Sequence, residues 1–280
     1  MNFRVVGLRQ LASGGYGDVF IGQRNDTGEY VVRKILREWH LQHAREGFER
    51  EVRVLARGLP GLVPLLAWDL TAQPPFYIMP YLAGGALTKY AGTLSTNQLH
   101  NVAGELAQTL ANLHSALEVH GDVKPDNILV TQDGRLQIAD PLGNGTLFTM
   151  LFSGNRGGTP GYWAPEVRNG GSISRAGDVY SYGVRLHHLL TGRKPQEGQN
   201  LYLTQQEQVR APKLSEIIKA CCQIEPDSRP SMYEVLRMLG GSDWADIQGE
   251  RERRRLLATA ACLVTGVIFL GVALRGKAGG

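Results

Sequence analysis

At 280 residues the chain has room for one large domain or two small ones, and its 42% hydrophobic residues can supply a core. The net charge of +4 is mild and forms no long basic stripe, which argues against a nucleic-acid-binding protein. Three cysteines, Cys221, Cys222 and Cys262, make neither a disulfide framework nor a metal-ligand spacing, so the body of the chain is expected in a reducing compartment.

Met1 to Gln10 holds no apolar run of signal-peptide length. Residues 3 to 36 read as β-rich, with a turn at Asp26-Thr27-Gly28 and a strand starting at Tyr30-Val31-Val32. Inside this stretch lies Leu11-Ala12-Ser13-Gly14-Gly15-Tyr16-Gly17-Asp18-Val19. Gly14 and Gly17 let a backbone approach phosphates closely, and Tyr16 can cover them. Alone, such a run also fits a plain glycine-rich turn; its place 17 residues before Lys34 gives it weight.

Trp39 to Arg57 reads as a helix with Leu41, Ala44, Phe48, Val52 and Leu55 on one stripe and Gly58 as its cap. Glu51 falls within that stripe. A carboxylate on a buried face needs a cation or a raised pKa. Lys34, ending Val31-Val32-Arg33-Lys34, is the best partner; the alternative is a Glu51 that reaches solvent past the stripe's edge. Phe76 to Met79 is a short apolar strand, and Gly84-Gly85 breaks it off. Helices dominate from Ser95, the first capped by Ser95 or Thr96 and ending near His114.

His120-Gly121-Asp122-Val123-Lys124-Pro125-Asp126-Asn127 is the most informative stretch. Two apolar strands follow, Ile128–Val130 and Leu136–Ala139, around Asp133-Gly134, a two-residue turn signal. With that turn, paired positions sum to 267, which sets Asn127 opposite Asp140. An amide and a carboxylate at the open end of one hairpin make a sensible Mg2+ site, with nucleotide phosphates completing the shell; an ordinary polar hairpin end is the alternative.

These segments together resemble a eukaryotic-like Ser/Thr protein kinase over residues 3 to 239. The resemblance also rests on Gly158-Thr159-Pro160-Gly161-Tyr162-Trp163-Ala164-Pro165-Glu166, on Asp178-Val179-Tyr180-Ser181-Tyr182-Gly183 and on Pro226-Asp227-Ser228-Arg229-Pro230. It implies an α+β bilobal fold, a β-rich lobe over about 3–80 and a helical lobe over about 84–239. It implies transfer of the γ-phosphoryl of ATP to Ser or Thr hydroxyls of protein substrates, with Mg2+, or Mn2+ in its place.

In that resemblance Asp122 orients the acceptor hydroxyl, Lys124 contacts the γ-phosphate, and Lys34 held by Glu51 grips the α- and β-phosphates. Asn127 and Asp140 hold the metal. Leu11, Ser13, Gly14, Gly15, Tyr16, Gly17, Val19, Val32, Met79, Tyr81, Leu82 and Leu129 surround the nucleotide, with Met79-Pro80-Tyr81-Leu82 as the hinge that binds adenine through its backbone. A Glu166–Arg229 ion pair and an Asp178 that braces the catalytic loop are implied as scaffold. Thr159 is expected to order the loop, and autophosphorylation, with self-association, is expected among Thr146, Thr149, Ser153 or Thr159.

The sequence departs from the family pattern at several places. Ala12 stands for the first loop glycine, Gly121 for the arginine of H-R-D, Pro141 for the phenylalanine of D-F-G, and Val32 for the alanine of V-A-I-K. None is a group that phosphoryl transfer needs. A nucleotide-binding pseudokinase that acts as a membrane-tethered scaffold is the alternative, and a small-molecule kinase a more distant one.

Residues 240–255 read as a charged linker containing Arg251, Arg253, Arg254 and Arg255. Leu256 to Leu274 is 19 residues without a charge, enough at ~1.5 Å per residue to cross a hydrocarbon core of roughly 30 Å. A buried core helix is the other reading. The arginines ahead of it place the kinase-like part in the cytoplasm, as a single-pass protein in the lipid bilayer, with a short tail at 275–280 and no sensor domain beyond.

Overall fold

The computed structural model describes residues 3–13, 17–141, 160–197 and 200–240. Three antiparallel strands open the fold: β1 (Val5–Ser13), β2 (Gly17–Arg24) and β3 (Tyr30–Leu36). After helix α1 (Gln42–Leu55) come β4 (Ala67–Asp69) and β5 (Phe76–Pro80), which complete a five-stranded sheet in the order β1-β2-β3-β5-β4. On β3 the side chains alternate. Val32, Lys34 and Leu36 are buried on one face, whereas Val31 packs with Phe76 and Ile78 in a separate cluster.

α1 is shorter than the stripe from Trp39 to Arg57 suggested. Leu41 caps it without a side-chain hydrogen bond, because no Ser, Thr, Asp or Asn stands there. Its inner face carries the expected Ala44, Phe48, Val52 and Leu55, with Glu51 buried among them.

The second lobe is built on α2 (Thr96–Ser115) and α4 (Arg175–Thr191), with short helices α3 (Pro165–Arg168), α5 (Gln205–Arg210), α6 (Pro212–Cys221) and α7 (Met232–Leu239) around them. Ser95, of the two caps considered, starts α2. Its Oγ accepts from the Gln98 amide and the Gln98 side chain accepts from the Ser95 amide, a reciprocal capping box. A small sheet, β6 (Gly85–Ala86), β7 (Ile128–Val130) and β8 (Leu136–Ile138), lies against α2, whose Glu105 accepts from the Leu136 amide at 2.9 Å. The chain after α1 is stitched to it, since Ile138 donates to the Gly61 carbonyl (2.8 Å) and Val63 donates to the Ile138 carbonyl (3.0 Å). One hydrophobic cluster therefore runs from Val32 on the first sheet to Leu239 on α7.

Among the described residues no helix is long and apolar enough to cross a membrane. The expected segment 256–274 lies outside them, as do the linker after Gly240, the tail, Gly14, Gly15, Tyr16, Thr146, Thr149, Ser153 and Thr159.

α4 and α6 meet at Gly183, where an added Cβ would sit 2.6 Å from Cys222 Sγ and 2.7 Å from Cys221 Cβ. Gly183→Ala would gain up to about 1 kcal/mol of helix propensity. Overpacking against the fixed Cβ of a fully buried Cys221 costs about 1–3 kcal/mol. The clash is expected to win, so Gly183→Ala should lower the urea midpoint; an unchanged or raised midpoint would show that the helices can part.

Candidate active site

Lys34 leaves β3 toward α1, and its Nζ lies 2.7 Å from Glu51 Oε1 and 3.0 Å from Asp140 Oδ1. Glu51 is not at the solvent edge of its stripe; its side chain is 10% exposed. Burial pushes its carboxyl up to about 7 against the pull of Lys34. Burial would lower Lys34, but Asp140 and Glu51 outweigh it and hold the amine above the ordinary lysine range. Asp140 is pulled below the usual carboxylate value because the charge of Lys34 overcomes its desolvation.

The hairpin after the catalytic loop differs from the expected register by one residue. Ile128 pairs with Ile138, Leu129 with Gln137 and Val130 with Leu136, so Asn127 faces Ala139 rather than Asp140. The Ala139 amide donates to the Asn127 carbonyl at 2.8 Å. The cause is the turn. Thr131 and Arg135 close it around Gln132, Asp133 and Gly134, with Gly134 at φ +78°, which is a three-residue connection with a left-handed glycine. Asp140 follows with φ +57°, leaving the ladder and turning its carboxylate to Lys34.

Asp122 is buried, and its Oδ2 accepts from Lys124 Nζ at 2.5 Å and from Asn127 Nδ2 at 3.0 Å. Asn127 Nδ2 also donates to the Asp122 carbonyl at 3.0 Å. An amide that donates through nitrogen keeps its oxygen as a cation ligand. With Asp140 it offers hard oxygens of the kind Mg2+ takes, and few enough that phosphate oxygens and water must complete the shell.

The loop around Asp122 is braced from α4. Asp178 accepts from the His120 amide (2.8 Å), the Gly121 amide (2.8 Å) and His114 Nε2 (2.9 Å). His120 is fully buried, and burial lowers its pKa. Its Nδ1 accepts from the Asp122 amide, so the neutral ring donates through Nε2 to the Ala139 carbonyl at 3.1 Å. Gly121 adopts φ +77°, a conformation that a side chain resists.

Around the nucleotide space, Val32 and Met79 are buried, Val19 and Leu129 half-buried, and Leu11 is exposed beside a β-bulge in β1. Gly17 is demanded by contact, since a Cβ there would lie 2.6 Å from the Ile35 carbonyl. The Ser13 hydroxyl is engaged on the outer side, donating to Asp18 Oδ1 at 2.8 Å and accepting from Arg37. In the hinge stretch the Tyr81 amide is occupied by the Tyr30 carbonyl at 3.1 Å.

Three residues of this region carried no signal in the sequence. Tyr77, inside an apolar run, donates to Glu51 Oε1 at 2.6 Å. Asp18 pairs with Arg37 at 2.6 Å at the base of the glycine-rich loop. Arg185 of α4, wholly buried, donates to the Val123 carbonyl next to Asp122 and lies 5.0 Å from the Tyr162 ring. Burial pushes its guanidinium down to about 9.

Further out, Glu166 of α3 meets Arg229 in a two-pronged pair at 2.7 and 2.8 Å. Residues 5–239 match the protein kinase domain family. The chain belongs to that family. Its similar relatives include the probable serine/threonine-protein kinase PkwA of Thermomonospora curvata, 33% identical over 259 residues that cover 85% of this chain and 34% of the relative. A probable lectin-domain receptor kinase of Arabidopsis thaliana is 30% identical over 83% of this chain and 38% of its own length. The DNA damage-responsive serine/threonine-protein kinase RqkA of Deinococcus radiodurans is 34% identical over 67% of this chain and 30% of its own. The chain spans about a third of the length of these curated relatives, two of which are named as serine/threonine-protein kinases.

Proposed function

We propose that the protein transfers the γ-phosphoryl group of ATP to serine or threonine hydroxyls of protein substrates, and that residues 256–274 tether it to a membrane with the kinase domain in the cytoplasm. The observation that carries the catalytic reading is Lys34, whose ammonium stands between Glu51 of one lobe and Asp140 of the other. A cation so placed, beside two hard oxygen ligands, suits the phosphates of a nucleotide.

Lys34 would hold the α- and β-phosphates and Lys124 the group in transit. Asp122 would receive or orient the acceptor's proton, with its loop fixed by Asp178. Asn127 and Asp140 would hold Mg2+, which would supply neutralisation of the phosphate charge. With the Tyr81 amide occupied, the adenine edge falls to the Leu82 amide and the Pro80 carbonyl, between Val19, Val32, Met79 and Leu129. The scaffold-only alternative is less favoured, because Lys34 meets Glu51 and Asp140 while Asp122 meets Lys124 and Asn127, which together are the polar groups phosphoryl transfer needs.

The test is incubation of the full chain with γ-labelled ATP, Mg2+ and a generic protein acceptor. Label on Ser and Thr is expected. Absence of label on any acceptor, with ATP still bound, would defeat the reading. The tether is checked by fractionation: the full chain should stay with membranes at alkaline pH, and a chain ending at residue 250 should not.

A further inference from the structure

Tyr77 lies directly across the β3–β5 ladder from Lys34, so both side chains leave the same face of the sheet. Tyr77 is fully buried. Its hydroxyl reaches Glu51 Oε1 at 2.6 Å, the oxygen that also takes Lys34 Nζ at 2.7 Å. Its ring stacks on Phe48 with centroids 5.4 Å apart and planes at 30°. Phe48 and Glu51 are three residues apart on α1, and so are neighbours on its surface. A single side chain of the sheet thus holds the helix at two points, one apolar and one polar.

At its start the helix has no side-chain cap at Leu41 and is tied by Arg45, whose Nη2 donates to the Leu70 carbonyl at 3.3 Å; Tyr77 holds it further along. Glu51 also shares Lys34 with a second carboxylate, Asp140 at 3.0 Å. Two acids competing for one ammonium leave Glu51 short of positive charge, and a second donor on Oε1 offsets this. A phenol buried without need of its hydroxyl would be replaced at lower cost by a phenyl ring.

We propose that Tyr77 is a positioning residue that latches α1 to the sheet and keeps Glu51 on Lys34 when the nucleotide arrives. It touches no substrate and acts through Glu51. The proposal rests on the phosphotransfer reading and extends it, by adding a third member to the Lys34–Glu51 pair.

The test is a cycle of four full-length proteins: wild type, Tyr77→Phe, Glu51→Met and the double variant. For each, kcat, KM for ATP, the ATP dissociation constant and the melting temperature are measured. Tyr77→Phe is expected to raise KM and the dissociation constant for ATP about tenfold, the scale of a hydrogen bond to a charged group. Its kcat should move less, and its melting temperature little. In the Glu51→Met background, which has no oxygen to accept the phenol, the same change should add nothing, because the group it acts through is gone.

Equal losses from Tyr77→Phe in both backgrounds would overturn the proposal, as would an unchanged ATP affinity. Tyr77→Met, which fills similar space without a hydroxyl, serves if the phenylalanine variant does not fold. If wild type transfers no phosphoryl group, the functional reading fails separately, and the four ATP dissociation constants still decide the role of Tyr77.

Discussion

Asp122→Asn is expected to lower kcat by about 10²–10⁴-fold, the usual contribution of a positioned general base. KM for ATP should stay near the wild-type value, because the groups assigned to the nucleotide are Lys34, Glu51 and the hinge. The backbone would hold its place. Asp178 fixes the amides of residues 120 and 121, and the Asp122 amide donates to His120. What changes is the acceptor. Lys124 and Asn127 both donate to Asp122 Oδ2, so an asparagine can keep one oxygen for them but lacks the charge and the second oxygen that would take the acceptor's proton. Steady-state phosphotransfer with varied ATP separates the two constants. An unchanged kcat would remove Asp122 from the chemistry.

Glu166→Gln is expected to destabilise the fold by about 3 kcal/mol, the lower end for breaking a buried ion pair. The Arg229 side chain is fully buried, and besides Glu166 it bonds only to carbonyls, those of Gln223, Ala176 and Ile224, among the described residues. A neutral amide would leave its charge uncompensated. Glu166 itself is a quarter exposed, which moderates the loss. Burial raises the Glu166 pKa, but the bonds from Arg229 overcome this and hold it below the ordinary carboxylate value of 4.5. A depressed native pKa contributes stability above that ordinary value and loses it as pH falls through the native one. Urea unfolding at neutral pH should therefore separate the two proteins, and the gap should narrow below about pH 4.5. A gap that stays constant into acid would mean that the charge of Glu166 is not what Arg229 needs.

Much of the site could be read from local pattern because the chemistry left local marks. Glu51 on an apolar stripe betrayed a buried cation, and Ser95 with Gln98 marked the start of α2. The rest depended on geometry that sequence spacing does not carry. Asp133-Gly134 has the composition of a two-residue turn, but Thr131 and Arg135 close a wider one, and this single-residue difference moved Asn127 from Asp140 to Ala139. Tyr77 reads as one more core aromatic until α1 is docked against it. Arg185 sits where a helix pattern would place an apolar residue, and only the packed loop supplies its carbonyl partner. The outer tie between Ser13, Asp18 and Arg37 joins three strands' ends and has no signature in any one of them.

The two carboxylates on Lys34 come from different parts of the fold. Glu51 travels with the sheet through α1, whereas Asp140 is rooted in the helical lobe. The Lys34–Asp140 contact is the more open of the two, its Asp140 side chain being 38% exposed. That junction is open to screening by dissolved ions while the Glu51 side is sheltered. Added salt should accordingly weaken the hold of Lys34 on Asp140 before its hold on Glu51, so ionic strength shifts the lysine's allegiance toward α1.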